Sequence, residues 1–366
     1  MANKPFSFSA EGIFGEERNT EELLAEINAD EELKSIFAKI PEEKKKHLLA
    51  FLAGKSTLDI LYDSFFRKIF DPELHRERLE RLISAFLGRK AMIQSVLSRE
   101  GFQVSDKGSL VIMDIIVKLE DNSFLNVELQ KIGYRFPAQR SSCYVSDMIM
   151  RQYNLKKAET KKGADFNYRD IAPVYLLVIL AQSSKEFSGT NEYIHRRETS
   201  YSSGIELPET ARITYITLDT FRKKPHNIDN ELEAWLTFLT EDDLERVMKL
   251  INKYPEFADI YKDIAEFRKD PKELIGMFSE ALKILDHNTE LFMIDEMKAD
   301  NESLKKDIKK KDDVIRQQGE ELRQRDEELR QQGEELRQQG EELRQKDEII
   351  LQLNRELEAF RTNNNG

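Results

Sequence analysis

Residues 108–131 read GSLVIMDIIVKLEDNSFLNVELQK. This pattern predicts two β-strands joined by a turn, with side chains alternating between the two faces of the hairpin. If Asp114 lies directly opposite Glu128, one face is wholly apolar and holds Met113, Ile115, Val117, Leu119, Leu125, Val127 and Leu129. The other face then holds Ile112, Asp114, Ile116, Asn126, Glu128 and Gln130. A slip of one residue would bury carboxylates in the apolar layer, so we predict this register.

The predicted register makes Asp114 and Glu128 cross-strand neighbours, with Cβ atoms about 5 Å apart. Two carboxylates at that separation repel each other unless a proton or a cation lies between them. A divalent metal ion bound by hard oxygen ligands is the simplest such cation. The hairpin taken alone also fits a plainer interpretation, in which both residues belong to the polar outer face of an ordinary antiparallel pair.

Further blocks of sequence flank the hairpin on both sides. They are YDSFFRKIFDPE at residues 62–73, FPAQRSSCYVSDMIMRQY at 136–153 and APVYLLVIL at 172–180. In this order, and with the hairpin between the first two, they resemble the PD-(D/E)XK nuclease superfamily. Within it they are similar to the bacterial recombination-promoting nucleases, a family of transposases. The first block resembles the opening helix of that family, D-x-x-F-[KR]-x-[IL]-F, with Asp63 in the acidic position.

The resemblance implies an α/β fold with a restriction-endonuclease-like core, in which helices flank a mixed central sheet. It also implies metal-dependent hydrolysis of phosphodiester bonds in DNA, linked to recombination or to mobile elements. Mg²⁺ or Mn²⁺ would be bound by Asp114, Glu128 and the backbone carbonyl of Leu129. Asp63 would be a further ligand. Arg140 would contact the scissile phosphate or, alternatively, form a salt bridge to a hairpin carboxylate.

The sequence departs from the superfamily at the lysine of the E-x-K motif, which is Gln130 here. Glutamine can orient a water molecule by hydrogen bonding, but it neither carries a positive charge nor accepts a proton as a base. Lys131 is adjacent, and strand parity predicts that it points to the opposite face. Gln130 in place of this lysine and the net charge of −12 support a second hypothesis. Under this hypothesis the chain has a nuclease fold without cleavage activity and acts as a DNA-binding or assembly factor through its helical tail.

The cellular setting is predicted from what the 366-residue sequence contains and lacks. A lone cysteine, Cys143, fits a reducing compartment. The N-terminal MANKPFSFSAEG has no apolar signal core, and no apolar run is long enough for a membrane span. We therefore expect a cytoplasmic protein without a membrane segment. Candidate phosphate contacts, each of which also fits ordinary surface charge, are the basic pairs and runs at 156–157, 161–162, 196–197 and 222–224.

The chain is predicted to divide into a helical extension (1–56), a nuclease-like domain (57–229), a helical segment (230–300) and a heptad-repeat tail (301–366). Helices are expected at 20–38, 41–53, 58–70, 73–87 and 139–158, and the later strands of the sheet at 174–181 and 212–218. The helical segment contains an apolar stripe made by Leu232, Trp235, Leu236 and Leu239. This stripe predicts Trp235 as a core residue rather than a platform on which DNA bases stack.

The tail repeats an apolar residue at every seventh position: Ile315, Leu322, Leu329, Leu336, Leu343, Ile350 and Leu357. A seven-residue period favours a left-handed coiled coil. Placing these residues at heptad position d puts Gly319, Asp326, Gly333, Gly340 and Asp347 at position a. Each glycine costs about 1 kcal/mol of helix propensity. The tail therefore fits two interpretations equally, a long marginal helix through which copies associate and a partly disordered charged segment.

Overall fold

The computed structural model describes residues 8–100, 113–131, 137–160, 166–225 and 227–363. The α-helices are α1 (Ala10–Phe14), α2 (Thr20–Ala29), α3 (Glu31–Ala38), α4 (Glu42–Leu52), α5 (Asp63–Ile69), α6 (Arg76–Leu87), α7 (Pro137–Thr160), α8 (Leu218–Lys223), α9 (Glu231–Thr240), α10 (Leu244–Lys253), α11 (Phe257–Glu266) and α12 (Pro271–Asn363). The strands are β1 (Ile93–Val96), β2 (Ile115–Leu119), β3 (Phe124–Gln130), β4 (Val174–Leu180), β5 (Ile194–Arg196) and β6 (Ala211–Thr217).

The strands form a mixed sheet in the order β1-β2-β3-β4-β6-β5. Strands β3, β4 and β6 run parallel to one another at its centre. The β2–β3 hairpin and both edge strands add antiparallel pairs. Because helices pack on both faces of this sheet, the predicted α/β fold with a mixed central sheet is confirmed.

Strand β4 shows how the two faces of the sheet are buried. Leu177 and Ile179 point into a larger hydrophobic core, which they share with helices such as α5, α6 and α9. Leu176 and Val178 point the other way, into a smaller core formed with α7. A parallel strand covered on both faces needs apolar residues at successive positions, which explains the unbroken sequence VYLLVIL.

The hairpin formed by β2 and β3 has the predicted register. Ile115 lies opposite Val127, so the next position along the hairpin places Asp114 opposite Glu128. The apolar face is confirmed for its members within the two strands, which all belong to the larger core: Ile115, Val117, Leu119, Leu125, Val127 and Leu129.

The prediction for Met113 is wrong. Its side chain packs in the smaller core on the α7 side instead of joining the larger core. The reason is a bend at Asp114, where the N–H of Leu129 bonds to the aspartate side chain at 2.8 Å. This bond changes the local path of the chain just before β2 begins, so strand parity does not extend back to Met113. Ile112 lies outside the described residues.

Two predicted helices differ from the structure near aspartate residues. The helix expected at 58–70 begins only at Asp63, because Asp59 accepts a hydrogen bond from the N–H of Leu61 at 3.0 Å and forms a turn. The helix expected at 20–38 is divided into α2 and α3, since Asp30 is extended and caps α3 with its carboxylate. The other predicted helices and strands agree with the structure to within a few residues, and β1 is not among the predictions.

The N-terminal helices and helices α9 to α11 share the larger core with the sheet. Arg268 links distant parts of this core: it is 8% exposed, and its guanidinium donates to the backbone carbonyls of Leu52, Glu16 and Phe14. Gly54 has a φ of +77°, and a Cβ there would lie 2.6 Å from this guanidinium. Both the backbone conformation and the close approach therefore require glycine. The division of the chain into four segments stays a prediction.

The chain divides into two compact units, and the first ends at Met293 and the second begins at Ile294. The second unit is helical to Asn363 as the C-terminal part of α12, which supports the helical interpretation of the tail. The side chains of the heptad residues from Ile315 to Leu357 are between 52% and 68% exposed. Among the described helices, none combines the length and apolar character that crossing a bilayer requires.

Candidate functional site

Reciprocal hydrogen bonds hold the two hairpin carboxylates side by side. The backbone N–H of Asp114 donates to Glu128 Oε1 at 3.1 Å, and the N–H of Leu129 donates to Asp114 Oδ2 at 2.8 Å. The side-chain amide of Asn126 donates to the same glutamate oxygen at 2.7 Å. Asn126 is absent from the predicted site, although its position two residues before Glu128 places it on the same face of β3. These bonds fix the orientation of both carboxylates.

The environment of the pair disfavours its negative charge. Burial raises the pKa of Asp114 well above its usual value, and the charges of Glu128 and Asp63 raise that pKa further. Burial also raises the pKa of Glu128 to about 6, against the opposing effect of its hydrogen bonds from Asn126 and Asp114. Glu128 is only 3% exposed. Two carboxylates in this environment are stabilised by either a proton or a cation.

Helix α5 brings Asp63 close to the hairpin pair. Asp63 is the first residue of this helix, and its Oδ2 forms a salt bridge with Arg67 at 2.5 Å. Its other carboxylate oxygen, Oδ1, is buried and has no hydrogen-bond partner within the described part of the chain. An unpaired buried oxygen is costly, so Asp63 fits the role of a further ligand. Arg67 is absent from the predicted site; its spacing of four residues from Asp63 is the signal in the sequence.

Helix α7 brings Arg140 and Tyr144 to the same carboxylates. Arg140 Nε donates to the Tyr144 hydroxyl at 3.1 Å, and the guanidinium lies 5.4 Å from the centre of the tyrosine ring. Against the dominant effect of burial, the charge of Arg140 and a hydrogen bond from Tyr144 lower the pKa of Glu128. Arg140 is exposed to solvent. The structure thus places this guanidinium beside the carboxylate pair. Its position is compatible with both predicted roles of Arg140, contact with the scissile phosphate and a salt bridge to a hairpin carboxylate.

Gln130 and Lys131 lie on different sides of the end of β3. Gln130 is 7% exposed and follows the parity of Glu128. Lys131 Nζ forms a salt bridge with Asp59 at 2.5 Å and lies 4.3 Å from the ring centre of Tyr62, a residue of the larger core. The ammonium group of Lys131 is therefore directed away from the position of the missing E-x-K lysine, as parity predicts.

The chemistry of these residues fits a divalent cation. Carboxylate oxygens are the ligands that Mg²⁺ and Mn²⁺ prefer, and the cation would relieve the repulsion within the Asp114–Glu128 pair. The unpaired Oδ1 of Asp63 is consistent with a further ligand. Within the described ranges, no group of three or more histidine, cysteine, aspartate or glutamate side chains is arranged as a metal-binding cluster.

The predicted basic pairs make local contacts on the protein surface. Lys157 lies 5.5 Å from the ring centre of Tyr153, and Lys224 lies 3.8 Å from a carboxylate oxygen of Glu192. Such contacts are typical of ordinary surface charge, so a role of these residues in DNA binding stays a prediction. Residues 161–162 lie outside the described part of the chain.

The raised pKa values predict how the stability of the metal-free protein depends on pH. Unfolded Asp and Glu titrate near pH 4, whereas folded Asp114 and Glu128 keep their protons to higher pH, with the pKa of Glu128 at about 6. The stabilising contribution of these protons is complete below about pH 4 and is lost as the pH rises through the folded values. We therefore expect the contribution of this pair to the free energy of unfolding to fall as the pH rises above about 4 and through about 6, where Glu128 loses its proton, and to fall further as Asp114 loses its own.

Urea denaturation in EDTA across this pH range measures the effect. The Asp114→Asn variant should show a weaker decline in stability than the wild type, because one of the two titrating groups is gone. Glu120→Gln, at an exposed position in the hairpin turn, is the matched control and should keep the slope of the wild type. Identical slopes for all three proteins would contradict the prediction.

The mixed sheet, with an acidic pair on its antiparallel hairpin and a parallel strand after helix α7, defines an α/β protein of the restriction-endonuclease-like class. Residues 60–293 match the family model described as PD-(D/E)XK nuclease family transposase. This match spans more than half of the chain, so the chain belongs to that family, which relates it to nuclease and transposase functions. Comparisons with curated proteins and with solved structures found no match.

Proposed function

We propose that the protein is a metal-dependent DNA endonuclease that hydrolyses phosphodiester bonds during recombination or the movement of mobile elements. The observation that carries the proposal is the Asp114–Glu128 pair, in which Glu128 is buried and Asp114 half-buried, held side by side on the hairpin of a chain that belongs to a nuclease family. The proposed cofactor is Mg²⁺ or Mn²⁺. Its proposed ligands are Asp114, Glu128 and the backbone carbonyl of Leu129, with Asp63 as an outer ligand.

A bound divalent metal would lower the pKa of a water molecule and stabilise negative charge on the phosphate. The residues of the chain have the remaining roles in the proposed site. Gln130 orients the attacking water or a phosphate oxygen by hydrogen bonding. Arg140 binds the phosphate from its exposed position on α7, and the bond to Tyr144 orients its guanidinium. Arg67 holds Asp63 in place through their salt bridge.

Nicking of supercoiled plasmid DNA tests the proposed activity. The purified full-length chain should convert the plasmid to open circles or linear DNA when Mg²⁺ or Mn²⁺ is present, and EDTA should stop the reaction. The assay should be carried out at low salt concentration, because a protein that contacts phosphates through local basic groups binds DNA more weakly as the salt concentration rises. Absence of cleavage with either metal, from folded protein at low salt, would contradict the proposal.

Gln130 and Lys131 are expected to respond differently to substitution. Gln130→Ala should lower the rate of cleavage by about 10-fold to 100-fold, because a group that orients the reactants is lost. Lys131→Met should change the rate by less than about 3-fold, since the ammonium pairs with Asp59, and should cost at most about 1 kcal/mol of stability. Single-turnover cleavage rates and urea denaturation of both variants provide the comparison. Strong loss of cleavage in Lys131→Met alone would contradict these assignments.

The alternative function is that of a nuclease-fold protein that binds DNA or organises an assembly without cutting. Gln130 in place of lysine is the observation in its favour. It predicts a DNA mobility shift without cleavage, and association that depends on the heptad-repeat tail. Under either function we propose that copies of the chain associate through this tail. We also propose that the protein is cytoplasmic, because DNA is the proposed partner and Cys143 is a free thiol, as is usual in a reducing compartment.

A further inference from the structure

We infer that the second compact unit forms a parallel, in-register, two-stranded coiled coil with a second copy of this chain. The starting observation is an apolar row on α12 that begins earlier than residue 315. Counting back in sevens from Ile315 reaches Ile308, Asn301 and Ile294, and the apolar members of this row are between 42% and 68% exposed. A helix with such a row in water is stabilised by covering it with another helix.

Residues three positions after the row identify its heptad position. They are Met297 and Leu304 near the start of the unit and Leu353 near its end, and each is at least 55% exposed. In a heptad, position d lies three residues after a, and the next a lies four residues after d. The row from Ile294 to Leu357 therefore occupies position a, not d, and the residues three positions later occupy d. In this frame Gly319, Gly333 and Gly340 lie at e, beside the seam rather than in it. With the apolar row at a, no glycine has to pack at position a.

The central heptads show a matched pattern at positions d and e. A basic d residue is followed by aspartate in Lys311-Asp312, Arg325-Asp326 and Lys346-Asp347. A neutral d residue is followed by glycine in Gln318-Gly319, Gln332-Gly333 and Gln339-Gly340. Adjacent residues on one helix do not face each other, so this matching does not serve pairing within the helix. It indicates a partner that brings d and e together.

A parallel, in-register partner provides that contact. In this arrangement a d side chain inserts into a hole of the facing helix, and the e residue of the same heptad helps to line that hole. Each basic d residue then meets an aspartate of the other copy, which offsets the repulsion between the two basic residues in that layer. Antiparallel helices place e opposite e, which would instead bring aspartates of different heptads together. Charge complementarity therefore selects the parallel pair.

Residues near the start of the unit support the same arrangement. Asn301 lies at a among isoleucines, and a single asparagine at a selects two strands and fixes their register by pairing with its counterpart. Isoleucine at a, as at Ile294 and Ile308, also favours two parallel strands. Across a parallel seam each g residue faces the following e residue of the other copy, and Asp300 and Lys305 have opposite charges there. Asp307–Asp312, Glu321–Asp326 and Glu342–Asp347 are like-charged pairs of the same kind, and they weaken the association. The polar d residues in the middle predict moderate rather than tight association.

Cysteine crosslinking of the full-length chain tests orientation and register. The background is Cys143→Ser, which removes the exposed native thiol. Ile308→Cys and Ile350→Cys are then made singly, because facing a residues of a parallel, in-register pair come within the Cα distance of a disulfide, about 4.4–6.8 Å. Each variant alone should form a covalent dimer under mild oxidation, and light scattering of the reduced protein should give the mass of two copies.

Other crosslinking results overturn the inference. Failure of both single-cysteine variants to form a covalent dimer would contradict the parallel, in-register pair, and a reduced protein with the mass of one copy would show that the tail does not pair. The inference extends the proposed self-association but does not depend on nuclease activity. A cleaving monomer would contradict only the coiled coil, and an inactive dimer crosslinked in register would contradict only the nuclease.

Charge substitutions test the matched d and e residues. Asp347→Lys at e should weaken dimerisation by at least about 10-fold, because it places like charges beside Lys346 of the other copy. Glu348→Lys makes the same change of charge at f, which faces solvent, and should weaken dimerisation by less than about 3-fold. Exchanging the pair in Lys346→Asp/Asp347→Lys should restore most of the lost affinity. Equal effects of the e and f substitutions would overturn the d–e contact.

Discussion

Asp114→Asn should lower metal-dependent DNA cleavage by at least about 100-fold while leaving the protein folded. Asparagine has the shape of aspartate, and its side-chain oxygen can still accept the 2.8 Å hydrogen bond from the N–H of Leu129. It lacks the negative charge that attracts a divalent cation. Since the substitution also removes the repulsion between residue 114 and Glu128, the metal-free variant should be at least as stable as the wild type at pH 8.

Plasmid cleavage and Mn²⁺ titration calorimetry should be measured on the same Asp114→Asn preparation. The affinity for Mn²⁺ should fall together with the cleavage rate, and Glu128→Gln should behave in the same way. Glu120→Gln removes a carboxylate from the turn of the same hairpin and should leave both quantities unchanged. Cleavage that survives both site substitutions would mean that the active site lies elsewhere in the chain.

Trp235→Ala should destabilise the first compact unit by about 3–5 kcal/mol. Trp235 is 1% exposed and packs among aromatic rings, with centroid distances of 4.7 Å to Phe257, 5.8 Å to Phe238 and 5.9 Å to Phe70. Truncation removes these contacts and leaves a cavity that a close-packed interior refills only in part. The burial confirms the prediction that Trp235 is a core residue, so this large effect concerns stability.

Trp235→Phe should cost less than Trp235→Ala. Phenylalanine keeps part of the aromatic volume, and it removes an indole N–H that is buried without a hydrogen-bond partner among the described residues. Tyr201→Ala, at a position 52% exposed, is the surface control and should change stability by less than about 0.5 kcal/mol. Urea denaturation followed by near-ultraviolet circular dichroism reports on the folded aromatic core. Equal losses at positions 235 and 201 would contradict the assignment.

The fold is predictable from the sequence where a local period and a burial requirement act together. The hairpin register was predictable because only one pairing keeps Glu128 and Asp114 out of the apolar layer. The same reasoning placed Lys131 on the face opposite Gln130, and its salt bridge to Asp59 agrees. The strands of the parallel centre were predictable from their unbroken apolar sequences.

The sequence does not predict the fold where a side chain competes with the backbone for hydrogen bonds. The Asp114 side chain accepts the N–H of Leu129, and the resulting bend sends Met113 to the other core. The Asp59 side chain accepts the N–H of Leu61 and delays the start of α5. Aspartate is favoured in turns and caps for this reason, but periodicity of apolar residues does not show which aspartate acts in this way.

The sequence by itself determined that Asp114 and Glu128 are neighbours, because the two-residue period of a strand leaves one register that buries no carboxylate in the apolar layer. The resemblance named Asp63 and Arg140, but only the tertiary structure decided how they surround the pair, and it added Arg67. Asp63 and Arg67 arrive on α5 from well before the hairpin, and Arg140 arrives on α7, the next helix after it. Their placement depends on how helices pack on the two faces of the sheet, and packing between distant elements is not encoded in any local repeat.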